Sequence, residues 1–137
     1  GYNYIRGFVA DNYGGGVWYT YYLASRVAMM LGVNNYWELD PAGQVVAITT
    51  PLSPRLDFRF DARVNFNIYD NIVFATPGTK FDSTRVASNR LGFLFSWNFL
   101  PKSWLYVAFN DFRVDKDGNL ALLNRVGAVK LRYLFYF

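Results

Sequence analysis

The sequence predicts an all-β fold, an antiparallel transmembrane β-barrel of the outer-membrane type, on three observations. Apolar and charged residues alternate with period 2 over long stretches, the spacing of a strand with two unlike faces. Aromatic residues make up 20% of the 137 residues, with 11 Tyr, 13 Phe and 4 Trp. Mean hydropathy is nonetheless only +0.04. No run approaches the roughly 20 apolar residues that a membrane helix needs. The most apolar stretch, from Val17 to Val33, is broken by Thr20, Ser25 and Arg26. Apolar residues interleaved with polar ones are the pattern of a membrane barrel.

The elements follow in order. Residues 2–10 read as a strand, and Asp11-Asn12-Tyr13-Gly14-Gly15-Gly16 as a turn. Residues 17–39 alternate as one long strand, with Val17, Tyr19, Tyr21, Leu23, Val27, Met29 and Leu31 on one face. An amphipathic helix over 23–31, capped by Gly32, competes with that reading. Asp40-Pro41-Ala42-Gly43 is a turn, residues 44–50 a short strand, and Pro51-Leu52-Ser53-Pro54 a second turn.

Residues 55–68 alternate most regularly. Leu56, Phe58, Phe60, Ala62, Val64, Phe66 and Ile68 share one face, with Arg55, Asp57, Arg59, Asp61, Arg63, Asn65 and Asn67 opposite. Soluble strands average about 5–6 residues, whereas a tilted membrane strand needs about 9–11. After a loop over 70–84, residues 85–99 place Leu91, Phe93, Phe95, Trp97 and Phe99 on one face. Pro101-Lys102-Ser103 turns the chain, because proline fixes φ and cannot donate to a ladder. Residues 104–114 form a less regular strand, Asp115-Lys116-Asp117-Gly118-Asn119 a hairpin turn, and residues 121–137 the last strand. Residues 1–137 thus read as one barrel domain.

Composition excludes several chemistries. The chain has no Cys and no His, and Glu38 is its sole Glu. Disulfides, thiolate ligands and His-activated nucleophiles are therefore absent. Asp57 and Asp61 share a face with Arg55, Arg59 and Arg63, and the flanking cations would keep both ionised rather than sharing a proton. Asp115, Asp117 and Asn119 have the spacing of the first calcium-loop ligands. Gly118 comes too early for such a loop, however, and Val126 stands where its last carboxylate belongs. Gly14-Gly15-Gly16 lacks the Lys-Ser/Thr of a phosphate loop. No catalytic, cofactor or metal residues are assigned. The net charge is +4, and ten of the 14 cations are Arg. They are dispersed rather than massed on a run, which argues against nucleic acid. Trp18, Tyr19, Tyr21, Tyr22, Trp97, Phe99, Trp104 and Tyr106 sit near strand ends, where interfacial girdles belong. A sugar-stacking platform is the rival reading of the same rings.

The chain end carries the most specific signal. Val129, Leu131, Tyr133, Phe135 and Phe137 alternate on one face, with Lys130 and Arg132 on the other. This resembles the C-terminal signal by which the barrel-assembly machinery recognises outer-membrane barrels. A wider likeness covers about the last 85 residues: Ser88-Asn89-Arg90-Leu91, Pro101-Lys102-Ser103-Trp104-Leu105-Tyr106-Val107 with Asn110, Asn124-Arg125, and the run from Lys130 to Phe137. It is similar to a Bacteroidota-type family in which a carbohydrate-binding-like periplasmic domain precedes a membrane barrel of unknown function. The soluble domain is not in this sequence, so no sugar-related residue is carried over.

The expectation is a non-enzymatic protein of the bacterial outer membrane, porin-like, acting as a pore or a membrane anchor. Arg55, Asp57, Arg59, Asp61, Arg63, Arg90, Lys130 and Arg132 would be its lumen charges. The implied partners are outer-membrane lipid, the barrel-assembly machinery and other subunits of a membrane complex. Two rival readings are a structural or binding subunit of such a complex, and a small eight-stranded barrel with an adhesive or ligand-binding role. The strand count above is odd, so these strands are expected to be the C-terminal portion of a larger barrel. Pairing of residues 2–10 with residues 121–137 would instead close a small barrel.

Overall fold

A computed structural model describes residues 2, 3 and 6–135, with side chains from Arg6 onward. A short ribbon of β1 (Tyr2–Asn3) and β2 (Phe8–Val9) precedes a seven-stranded sheet. Its strands are β3 (Asp11–Ala24), β4 (Val27–Leu39), β5 (Val45–Arg59), β6 (Val64–Pro77), β7 (Arg85–Leu100), β8 (Ser103–Lys116) and β9 (Asn119–Arg132). Each pairs antiparallel with the next in sequence, and β3 and β9 are the two edges of an open sheet. The turns at 25–26, 60–63 and 101–102 share one rim with the end of β9. Those at 40–44, 78–84 and 117–118 share the other. Asp117 and Gly118 both have positive φ (52° and 88°), as a tight hairpin with a primed turn requires.

The all-β antiparallel prediction holds, and several boundaries are corrected. The expected turn at 11–16 lies inside β3, where Gly14, Gly15 and Gly16 pair with Tyr36, Asn35 and Asn34. The expected strand over 17–39 is the β3–β4 hairpin, turning at Ser25 and Arg26; neither one strand nor a helix forms there. The expected strand over 55–68 is also a hairpin. Asp61 makes its turn, its carboxylate accepting from the backbone N–H groups of Arg63 (2.6 Å) and Val64 (2.9 Å). The loop over 70–84 shrinks to 78–84, with a single 3-10 turn at Phe81–Ser83. No pairing joins residues 2–10 to residues 119–132 among the described residues.

The expected turn at 51–54 is instead the middle of β5. A proline cannot donate to a ladder and opens it on one side. The β4–β5 register skips Thr50 and Pro51, and the β5–β6 register skips Ser53 and Pro54. Side chains span both gaps: Thr50 Oγ1 donates to Asn35 Oδ1 (3.1 Å), and Asn71 Nδ2 donates to Ser53 Oγ (2.9 Å).

One layer leaves almost nothing to bury. Among the described residues the buried hydrophobic side chains are Ala10 and Ile48, and the accessible surface is 9802 Å². A globular protein of 15.8 kDa would expose about 7,300 Å². The excess follows from a sheet with both faces uncovered.

Those faces are unlike. Residues opposite one another in register share a face. One face carries the row Tyr21, Met29, Leu56, Ile68, Phe93, Phe109 and, beside it, Val27, Phe58, Phe66, Phe95, Val107, Val129. An aromatic ladder crosses four strands there, Phe58 to Phe66 (6.0 Å), Phe66 to Phe93 (5.8 Å) and Phe93 to Phe109 (5.5 Å). The other face carries Arg55, Asp57, Arg59, Tyr69, Arg90, Asn110, Lys130 and Arg132.

The apolar band has a definite height. It runs over Leu52–Phe58 on β5 with Phe60 just beyond the strand, Leu91–Phe99 on β7 and Val129–Phe135 on and after β9. Its upper limit is set by Asp111 and Arg125 on β8 and β9, by Asn89 two residues higher on β7, and by Thr50, Asn35 and Gly15 two higher again on β5, β4 and β3; on β6 Asp70, which accepts from Asn89 Nδ2 (2.7 Å), interrupts the band at the level of Leu91, with Ile72 and Phe74 beyond it.

Candidate functional site: the polar concave face

The described cavities are lined mainly by residues of the polar face, which makes that face concave. One, of about 640 Å³, lies between Trp18, Met30, Arg55, Tyr69, Arg90 and Phe112. Arg55 Nε contacts Asp57 Oδ1 at 2.9 Å, and the Arg90 guanidinium lies over the Phe112 ring at 4.5 Å. Tyr69 Oη donates to Asn110 Oδ1 (3.1 Å). A second hollow, of about 550 Å³, continues toward the 25–26 rim past Asp57, Arg59, Asn65 and Asn67. A third, of about 380 Å³, holds Lys130 and Arg132 beside Tyr106.

Large rings cover cross-strand glycines on this face: Tyr36 over Gly14, Trp18 over Gly32 and Tyr69 over Gly92. A Cβ on Gly92 would stand 2.5 Å from Tyr69 Cζ. Each ring lies over the backbone where a Cβ would collide with it, so glycine leaves the room that the ring occupies.

Of the sequence-predicted lumen charges, Arg55, Asp57, Arg59, Arg90, Lys130 and Arg132 lie on this face. Asp61 and Arg63 do not: the 60–63 turn removes them to the rim. Val129 and Leu131 project from the apolar face of β9. Tyr133 and Phe135 follow the strand, with Tyr133 stacked on Phe99 (6.3 Å). Phe137 lies outside the described residues. The aromatic residues expected near strand ends divide: Trp18, Tyr22, Trp104 and Tyr106 sit on the polar face, while Tyr19, Tyr21 and Trp97 sit on the apolar one.

No family model, curated protein or solved structure matches the chain.

Sequence reasoning missed one cluster. Asp111 Oδ1 accepts from Arg113 Nε (2.8 Å), and its Oδ2 from Arg125 Nη2 (2.6 Å) and Nε (2.8 Å). The three residues interrupt the apolar face of β8 and β9 at the upper edge of its band. The signal was the weak alternation of residues 104–114, where odd positions turn from Phe109 to Asp111 and Arg113. Asp111 retains 8% of its side-chain exposure and takes both cations. Asp111→Ala should therefore lower stability more than Asp57→Ala, whose partner Arg55 is 47% exposed. Equilibrium unfolding of the two variants compares them.

Proposed function

We propose that this sheet is part of the wall of a bacterial outer-membrane β-barrel, its apolar face toward lipid and its concave face toward water. The observation that carries the reading is the apolar band. It is about five alternate residues tall on β5 (counting Phe60) and β7, which matches the 9–11 residues of a tilted membrane strand. The family resemblance of the last 85 residues belongs to the same proposal, as does the terminal signal recognised by the assembly machinery.

The function that follows is passive. The wall acts as a pore or an anchor, with no catalytic group assigned. Within the band the concave face carries Arg55, Arg59, Arg90, Lys130 and Arg132 against Asp57. Rings of Arg and Lys favour anions in a water-filled passage. In planar bilayers under a salt gradient, the reversal potential should report anion preference, and Arg55→Ser with Arg90→Ser should move it toward neutrality. A protein that inserts but does not conduct would be an anchor. One that is extracted from membranes by alkaline carbonate would not be a barrel wall at all.

A further inference from the structure

Resting on the membrane-wall reading, we infer that the open edges of β3 and β9 are joined by an odd number of further antiparallel membrane strands that are not copies of this chain. The argument is one of direction. Six antiparallel steps separate β3 from β9, so the two edges run the same way. Pairing them directly would create a parallel seam in a sheet that is antiparallel throughout. Copies of the chain do not escape this. Subunits sharing one membrane orientation are related by rotation about the membrane normal, which preserves strand direction. Every junction from β9 of one copy to β3 of the next would again be parallel, whatever the number of copies. Self-assembled barrels therefore need an even number of strands per subunit, and this sheet has seven.

Both edges are built to be paired. β3 and β9 are each 14 residues long, and neither contains proline. A bare edge of that length is a template for another strand, and in hydrocarbon its backbone groups have no water to turn to. The side chains agree. Val17 on β3 and Val129 on β9 are 72% and 71% exposed on the apolar face, whereas Phe95 on β7 is half-buried between its lateral neighbours. The occupant is fixed in kind: strands alternating apolar outward and polar inward, beginning and ending antiparallel to these two edges.

The test uses the protein in its native outer membrane. A benzophenone side chain replaces Val17 or Val129 in turn, with Phe95 as the lipid-facing control. After illumination, cross-linked peptides are sequenced by mass spectrometry. The expected adduct at each edge is a peptide of alternating pattern absent from this sequence, and the Phe95 position should label lipid. A Val17 adduct to β9, in the same molecule or another copy, would overturn the inference, as would no protein adduct at either edge. Strand number is read from the structure of the purified particle, which should contain an even total with no parallel seam. Carbonate extraction separates the two failures: a protein lost from the membrane fails the wall reading, whereas a membrane-held protein with self-adducts fails only the inference.

Discussion

On the proposal that the apolar face meets lipid, Phe95→Arg should destabilise the folded protein in a bilayer by about 2–4 kcal/mol, while the same substitution one residue later, Ser96→Arg, should change stability little. Phe95 is the middle of the apolar run Leu91–Phe99 on β7 and is flanked in register by Phe66 and Val107. An arginine there would hold a guanidinium at the depth where hydration is least accessible. Ser96 pairs with Asn65 and Tyr106 on the concave face, beside the hollow that already holds Lys130 and Arg132. Phe95→Leu removes the ring but keeps an apolar side chain and should cost less than about 1.5 kcal/mol. Denaturant titration of the protein in vesicles measures all three. Equal costs for Phe95→Arg and Ser96→Arg would mean that the faces do not differ in what they meet.

Gly92→Val is the second large effect, and it comes from the opposite face. The new Cβ would meet Tyr69 Cζ and Oη at 2.5 Å and Asn110 Oδ1 at 3.0 Å. The ring must leave, and its hydrogen bond to Asn110 leaves with it. Overpacking of this kind costs about 1–3 kcal/mol. Tyr69→Ala removes the obstacle. In the double variant Gly92→Val should then cost much less than it does alone, a coupling that a two-site unfolding cycle reads directly. Additive costs would show that Tyr69 and Gly92 are not packed as described.

Much of the fold was legible in the alternation, and the errors follow from one geometric rule. Opposite residues in the β5–β6 hairpin, such as Phe58 and Phe66, are both even-numbered. The apolar face thus keeps its parity through the reversal, and residues 55–68 read as a single strand although the chain doubles back at 60–63. The β3–β4 hairpin behaves alike: Tyr19 faces Leu31, both odd, and Ser25 and Arg26 carry no glycine or proline to mark the bend. Parity switches between β4 and β5, where Leu31 faces Pro54, and between β6 and β7, where Ile68 faces Phe93. Breaks were seen there. The turns at 101–102 and 117–118 keep parity but announce themselves through Pro101 and Gly118. Pro51 and Pro54 misled in the other direction, because their ladder gaps are spanned by Asn35 and Asn71 from neighbouring strands. The concave charges were legible wherever the strand was, and the Asp111 cluster was not, since its partners lie 2 and 14 residues away across a hairpin.

The meander has a kinetic meaning as well. Within the seven-stranded sheet each strand pairs only with its neighbours in sequence, so none of these pairings waits for a distant part of the chain to arrive. Contact order is accordingly low for an all-β protein, and loop closure costs little at each step. Each completed hairpin would expose one fresh edge on which the next strand can zip, a topology that permits serial addition along the chain.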